Sequence, residues 1–172
     1  MHLAKTYLDE LVEYPLKALH QIGTNPTIVQ LLTNNPNIDM DSDEADSVFD
    51  KYLFDYAYVD STTTQAEAYI CVEAEVPSVQ SYTIKDMKLF VTVFCHKQYM
   101  SLDPDKFDKF SGNRRDNLAR YIDVLLNGSN IFGIGQLTLL NVRVVNAPSG
   151  FTARELIYQV PDFKTKPLDN GT

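Results

Sequence analysis

The sequence has no tryptophan, only two cysteines and only three histidines among its 172 residues. Cys71 and Cys95 both fall in alternating, strand-like segments, so we expect buried free thiols rather than a disulfide. His2, His20 and His96 are scattered along the chain and give no local zinc-ligand spacing. These shortages argue against a disulfide scaffold and against a zinc-binding domain.

Long apolar runs are also missing, and none approaches the length that spans a bilayer. Residues 1–14 carry acids where a signal peptide needs an apolar stretch, so we expect a cytoplasmic product without membrane contact. The composition is 44% hydrophobic and 22% charged, which is ordinary for a globular protein. A chain of this length fits one domain with its own core.

Positive charge is scarce in the first part of the chain. Residues 1–76 hold 14 acids and 3 Lys/Arg, net −11, whereas residues 77–172 hold 9 acids and 12 Lys/Arg, net +3. The overall charge of −8 argues against a general duplex-DNA binder, because phosphate contacts need clustered cations. The asymmetry suits head-to-tail self-association, and a solvated acidic face is the alternative interpretation.

The stretch 111–145 predicts a helix, a glycine stop, a turn and a strand, and the helix is the main cover for a sheet. Its apolar residues recur at helical spacing, at Leu118, Tyr121, Ile122, Leu125 and Leu126. The opposite side is predicted to hold Asp116, Ala119, Arg120, Asp123 and Asn127. Gly128 supplies the left-handed residue that ends a helix.

Residues 1–33 are predicted to form a helical N-terminal segment, in which Pro15 kinks or restarts the helix. Asn25 and Pro26 have the residue types of an N-cap and a first helical position. Residues 34–50 form an acidic loop whose aspartates resemble the spacing of an EF-hand calcium loop. Glu44 stands where that loop needs glycine, and no second helix follows, so a solvated loop is favoured. The aspartates are Asp39, Asp41, Asp43 and Asp50.

The remaining chain predicts strands, and we expect a single α+β domain over residues 1–163. The sheet is expected to be antiparallel or mixed, and to be covered by one main helix. Strict alternation over residues 67–76 predicts a strand that Pro77 ends, and residues 83–96 predict a central strand because both faces are partly apolar. Further strands are predicted at 52–59, at 136–145 with a bulge at Leu139–Leu140, and at 153–160 in a hairpin with the preceding strand. Residues 164–172 are expected to form a flexible tail.

The sequence allows two catalytic interpretations of this scaffold, and neither is favoured. Cys95 and His96 are adjacent strand residues, so their side chains point to opposite faces and do not form a nucleophile–base pair. A small metal-dependent nuclease would use strand carboxylates that converge on its ions. Alternating acids on a wet strand are more often solvated, which disfavours that interpretation. The candidate nuclease residues are Glu73, Glu75, Asp86 and Lys88.

From residue 52 to residue 163 the chain resembles the tail-terminator (tail-completion) group of tailed-bacteriophage neck proteins. The resemblance is carried by the segments VTVFCHK, RRDNLARYIDVLL, FGIGQL and LIYQVPDF. It implies a structural virion protein at the head–tail junction, assembled in the host cytoplasm. The subunits would form a ring, usually a hexamer, that contacts the tail tube protein and the head-closure protein. It implies no cofactor and no catalysis, and the residues themselves lead us to expect no metal site.

Such a ring must let DNA slide through its bore without specific binding, and an acidic chain suits that task. Rotational contacts would place Asp or Glu of one copy near arginines of the next. The candidate subunit-interface residues are Arg114, Arg115, Arg120, Glu73 and Glu75. A head-closure or adaptor ring protein and a non-phage α+β interaction module remain the alternatives.

Overall fold

The computed structural model describes residues 8–79, 84–133 and 135–163, so the predicted tail at 164–172 lies outside the described residues. The chain forms helices and strands in the following order. They are α1 (Asp9–Gly23), α2 (Pro26–Thr33), α3 (Asp43–Asp46), α4 (Val48–Lys51), β1 (Leu53–Phe54), β2 (Ala68–Val79), β3 (Ile84–His96), a 3₁₀ turn (Lys97–Tyr99), α5 (Arg114–Leu126), β4 (Thr138–Val145) and β5 (Phe151–Phe163). Within the described residues, no helix is long and apolar enough to cross a membrane.

The described strands form one five-stranded sheet in the order β1-β2-β3-β5-β4. β1 runs parallel to β2, whereas the other neighbours are antiparallel, so the sheet is mixed. This arrangement confirms the predicted α+β class and the central place of β3. It also leaves β4 as an edge strand at one end of the sheet and the two-residue β1 at the other.

The predicted boundaries at Asn25 and Gly128 are present, and α5 begins at a cap that was not predicted. The Asn25 side chain accepts a hydrogen bond from the Ile28 amide at 3.2 Å, and Pro26 is the first residue of α2. At the start of α5 the Asn113 side chain accepts from the Asp116 amide at 2.9 Å. Gly128, just beyond the end of α5, has φ +84°, which is the left-handed conformation that the sequence predicted.

One predicted boundary near proline was wrong. Pro15 lies inside α1, which continues through it from Asp9 to Gly23, so the helix is not restarted there. Pro77 does not end β2, which continues to Val79 through a register shift between Glu75 and Ser78. Proline has no backbone N–H to donate to a neighbouring strand. Because β1 pairs with β2 only at Ile70 and Cys71, β1 does not reach Pro77, and no hydrogen bond between β1 and β2 is lost there.

The first predicted strand, residues 52–59, was also wrong, because only Leu53–Phe54 forms a strand. The aromatic residues that suggested a strand form a cluster instead. The Phe54 and Tyr58 rings stack with centroids 3.8 Å apart, and both lie beside Tyr69 of β2. These aromatic side chains are therefore packed against one another and against β2, although the segment that carries them is not a strand.

The closing hairpin was predicted correctly. β4 and β5 are antiparallel, and their register shifts between Leu139 and Asn141, where the parity of the sequence breaks. β5 is longer than predicted, since it starts at Phe151 and reaches Phe163.

Helices cover one face of the sheet, which we call the helix face. α1 packs on β2, and α5 packs on β3 and β5. The sheet is therefore covered by two helices, whereas the sequence predicted one main helix. Alternate residues of β3 on this face are fully buried: Met87, Leu89, Val91, Val93 and Cys95. In register, Leu156 and Tyr158 of β5 bury on the same face. The core therefore lies between these helices and the helix face.

α5 meets the core with a face rotated from the predicted one. Leu118, Ile122 and Leu126 are fully buried as predicted, whereas Tyr121 and Leu125 are only partly buried. Ala119 was assigned to the solvent side and is buried at 5% exposure. The apolar side thus turns toward Ala119, because α5 packs on β5 as well as on β3.

Candidate subunit interface

Arg114 was predicted to lie at a subunit interface, but its side chain is inside the fold with 2% exposure. Its Nε donates to the Tyr99 carbonyl at 2.9 Å, and its other nitrogens donate to the Leu31 carbonyl and to Asn34 Oδ1. The guanidinium lies 4.0 Å from the centroid of the Tyr99 ring. Burial lowers the pKa of Arg114, which still remains protonated at neutral pH.

These contacts use the Arg114 side chain to join the start of α5 to the end of α2. A side chain so enclosed does not reach an acid on a neighbouring subunit. Arg114 is therefore removed from the predicted interface, and its charge serves the interior of this chain.

Arg115 is also held within the chain. Its Nε lies 3.0 Å from Asp116 Oδ1, and Arg154 Nε of β5 lies 2.6 Å from the same oxygen. Asn113 donates to the other oxygen of Asp116 at 2.9 Å. Burial acts to raise the pKa of Asp116, but the hydrogen bonds from Arg115, Asn113 and Arg154 outweigh it and lower that pKa to about 2. Arg115 is therefore part of a network that ties α5 to β5.

Arg120 alone of the three predicted arginines is exposed. It borders a groove of about 360 Å³ between α5 and the β4–β5 hairpin, which we call the α5–β4 groove. The groove contains both apolar and charged side chains. They are Asp116, Ala119, Arg120, Asp123, Leu139, Val142, Arg154 and Leu156.

The two predicted interface acids lie on the other side of the sheet. Glu73 and Glu75 are exposed and pair in register with Phe90 and Lys88, whose side chains alternate with the buried residues of β3. They therefore project from the face opposite the helix face. Arg120 and this acidic pair occupy opposite sides of one molecule and do not approach each other within a subunit.

The nuclease candidates share a sheet face but do not form a metal centre. In the described part of the chain, no group of three or more His, Cys, Asp or Glu side chains is placed to hold a metal ion. In the acidic loop, Asp39 accepts the Asp41 amide at 3.1 Å, and Ser42 caps α3 through the Ala45 amide. These contacts explain the local turn without a cation.

Cys95 and His96 point to opposite faces, as adjacent strand residues must. Burial raises the pKa of the Cys95 thiol to about 12 and that of Cys71 to about 11, and both cysteines are buried and free as predicted. His96 accepts a hydrogen bond from the Gln98 amide at 3.3 Å and contacts the Phe151 ring. His96 thus has a structural role at the start of the 3₁₀ turn.

Sequence reasoning missed two exposed apolar surfaces. The first, which we call the α1 crest, consists of Leu8, Val12 and Leu16, with exposures of 57%, 64% and 50%. The second, which we call the β4 patch, consists of Leu140, Val142 and Val144, with exposures of 48%, 42% and 65%. Large apolar side chains grouped at the surface are typical of contact sites.

The sequence held a signal for the α1 crest. Apolar residues of α1 extend around more of the helix than the core-facing stripe needs. The core takes Tyr14, Pro15, Ala18, Leu19 and Ile22, which leaves the crest on the outer side. The sequence contains no such sign of the β4 patch. Its valines alternate with polar residues, and this pattern is the same for a strand whose apolar face is buried.

The α1 crest and the β4 patch lie toward opposite ends of the sheet. α1 packs on β1 and β2, whereas β4 is the edge strand at the far end. Glu13 lies next to the crest around the helix, and the β4 patch lies beside the α5–β4 groove with Arg120. One subunit therefore presents two chemically different surfaces that do not meet within it.

Comparison with known proteins gives one family. The YomW family model matches residues 25–160, which is most of the chain and spans α2 through almost all of β5. No curated protein matches the sequence.

Proposed function

Since the chain belongs to the phage-derived YomW family, we propose that it is a structural protein of the phage neck. In this proposal its subunits form a ring that terminates the tail tube and joins the tail to the head. The ring contacts the tail tube protein on one side and the head-closure protein on the other. It needs no cofactor, and DNA passes through its bore without specific binding.

One observation carries the ring proposal, namely the α1 crest and the β4 patch at opposite ends of the sheet. Two different surfaces that meet between copies make a heterologous contact, which closes into a ring when the rotation per subunit permits. Two copies of one surface would instead give a two-fold dimer. The distribution of exposed apolar side chains therefore favours a ring over a symmetric pair.

Charge supports a bore that does not grip DNA. The net charge of −8 repels phosphate at long range, so a lumen lined by acids would let the duplex slide. Arg114 and Arg115 are occupied within the chain by carbonyls and by Asp116, which removes two cations from the surface that DNA meets. Glu73 and Glu75 are exposed on the sheet face opposite the helices and are candidates to line the bore.

The decisive experiment is electron cryomicroscopy of the assembled phage, with and without this chain. We expect a ring of this subunit between tail tube and head, with a bore of net negative charge. In particles made without the chain, heads and tails should fail to join, or tails should lack a defined end. A bore lined mainly by Lys and Arg, or complete particles made without the chain, would overturn the proposal.

The same maps distinguish a head-closure ring from a tail terminator. A subunit that touches the tail tube protein directly is a terminator, whereas one separated from the tube by another ring is a closure protein. Co-purification of the tagged chain with the tail tube protein gives an independent test.

A further inference from the structure

We propose that residues 55–66, which we call the strap, act as a lid on the sheet face opposite the helix face. The strap opens as a unit while the sheet and the helices stay folded. Its opening admits solvent and small reagents to Tyr69 and Cys71, which the closed strap keeps buried. This inference does not depend on the neck function, so either one can fail without the other.

The strap is the segment in which the chain crosses the sheet. β1 and β2 are parallel neighbours, so the chain must return from the end of β1 to the start of β2. Such a connection usually contains a helix, whereas residues 55–67 form neither helix nor strand. The crossing segment therefore has no regular hydrogen-bonded structure of its own to hold it in place.

The surroundings of Cys71 show which face the strap covers. Its neighbours Ile70 and Val72 belong to the main core, so the Cys71 side chain projects from the opposite face of β2. Cys71 is nevertheless only 3% exposed. Burial raises the pKa of its thiol to about 11, and hydrogen bonds from the backbone of Tyr58 and of Val59 act against burial. These two strap residues therefore lie directly over the sulfur.

A small number of side chains hold the strap closed. The Tyr58 ring stacks on Phe54 with centroids 3.8 Å apart, and it lies 5.2 Å from the Tyr69 ring. Val59 is 7% exposed and belongs to the same aromatic cluster. Between residues 55 and 66, Val59 is the only residue that is buried. The closed position thus depends mainly on one ring stack and one aliphatic side chain.

The polar contacts of the strap are made within it. The Asp60 carboxylate accepts hydrogen bonds from the Thr62 amide and the Thr62 hydroxyl, each at 2.7 Å. The Thr63 hydroxyl oxygen accepts a hydrogen bond from the Asp60 amide at 3.2 Å. These bonds make a compact turn that can move with the strap, so opening does not have to break them.

Both ends of the strap are fixed to the sheet. The Ile70 amide donates to the Tyr52 carbonyl at 2.8 Å, and the His96 amide donates to the Glu67 carbonyl at 2.9 Å. These bonds lie outside the strap and can stay in place while the segment between them moves. Segments with few buried apolar contacts open at a lower free energy than the core does. The structure therefore places a hinged, weakly held segment over a buried thiol.

The two cysteines of the chain provide the test, because Cys95 lies in the main core on the other face. The native protein is treated with N-ethylmaleimide, and mass spectrometry measures the labelling rate of each cysteine relative to the urea-unfolded protein. We expect Cys71 to be labelled at least about tenfold faster than Cys95. Low concentrations of urea should speed the labelling of Cys95 and leave that of Cys71 nearly constant, because opening the strap exposes little surface.

Three variants separate opening of the strap from unfolding of the core. Tyr58→Ala removes the stacked ring and should raise the Cys71 rate about 2- to 12-fold, the effect of losing one aromatic pair. Tyr56→Ala is the matched control and should raise it less, because Tyr56 is 53% exposed. Leu126→Ala weakens the helix face and should speed the labelling of Cys95 much more than that of Cys71. Circular dichroism checks that each variant is folded, and the Cys95 rate reports any loss of global stability.

Three outcomes would overturn the inference. Equal labelling rates of Cys71 and Cys95, with the same dependence on urea, would show that this face opens only when the whole protein unfolds. Labelling of Cys71 as fast as in unfolded protein would show that the strap does not close. A Cys71 rate that Tyr58→Ala raises no more than Tyr56→Ala does would show that the ring stack does not hold the strap.

Discussion

Arg114 is a charged side chain that lies almost fully buried, which is unusual for arginine. Its charge is enclosed, and its partners are backbone carbonyls and an amide oxygen rather than a carboxylate. Carbonyl oxygens supply the negative ends of dipoles, and the Tyr99 ring adds its face. Leu31 and Asn34 lie more than 70 residues away in the chain, so this one side chain joins distant segments.

We expect Arg114→Met to destabilise the protein by about 2–4 kcal/mol, since it leaves the Leu31 and Tyr99 carbonyls without their charged donor. Urea unfolding followed by circular dichroism measures the loss. Arg120→Met is the matched control, because Arg120 is exposed and its loss should change stability by less than about 0.5 kcal/mol. Equal effects at the two positions would contradict the structural role of Arg114.

Gly150 is constrained by its own backbone and by a neighbour. Its φ is +90°, and a Cβ there would lie 2.9 Å from His96 Nε2. We expect Gly150→Ala to cost about 1–2 kcal/mol from the backbone alone, with a further loss from displacing His96. Thermal unfolding of Gly128→Ala gives the comparison, because Gly128 has φ +84° but nothing within 4 Å of its added Cβ. If the two variants melt together, His96 does not constrain this turn.

Among the elements, α5 has the clearest graded burial. Leu126 is fully buried, Leu125 is partly buried and Val124 is 73% exposed, although the three residues are consecutive. We expect Leu126→Ala to lose about 2–5 kcal/mol, Leu125→Ala less, and Val124→Ala almost nothing. Urea unfolding of the three variants should reproduce this order. A larger loss at Val124 than at Leu126 would show that α5 is rotated differently on the sheet.

The start of α5 also makes stability depend on pH. The Arg115, Asn113 and Arg154 hydrogen bonds outweigh burial and lower the pKa of Asp116 to about 2, below the value of about 3.9 for an unfolded aspartate. A lowered folded pKa gives stability that is present above about pH 4 and is lost as the pH falls toward 2. The carboxylate is partly exposed, so solvent reduces the size of this contribution.

We therefore expect Asp116→Asn to lower stability at pH 7 and to flatten its decline between about pH 4 and pH 2. Arg154→Met should make this decline smaller and end it at a higher pH, because the pKa of Asp116 in the folded protein then rises toward its unfolded value. Urea midpoints measured across this range test both effects. Identical pH profiles for wild type and Asp116→Asn would rule out this contribution.

For the whole molecule, the proposed structural role predicts no hydrolysis of DNA. Purified protein incubated with magnesium or manganese should leave duplex and single-stranded DNA intact. Glu73→Gln, which removes one acid from the candidate nuclease set, should behave like wild type. Metal-dependent cleavage that this variant abolishes would replace the structural proposal with an enzymatic one.

At this scale, the family match and the fold support different parts of the functional conclusion. The match to the YomW family establishes a phage-derived protein. The α+β fold, with one sheet face covered by helices and the other partly covered by the aromatic cluster around Tyr69, is compatible with several roles. The neck ring is a proposal because it depends on contacts between copies.

Local signals in the sequence determined much of the fold. The Asn25 cap, the Gly128 stop, the alternation of β3 and the parity break at Leu139 each depend on neighbouring residues, and each is present in the structure. Caps, turns and strand alternation are set by the conformations that adjacent residues prefer. For that reason they are visible in one sequence.

Tertiary structure alone decided the rest. The sequence did not show that the aromatics after Lys51 cluster on Tyr69, that Ala119 faces the core, or that Arg114 binds carbonyls of distant segments. It also did not show which part of the wide apolar stripe of α1 the core would take. These outcomes depend on which surfaces become neighbours after folding, and residues far apart in the chain supply those neighbours.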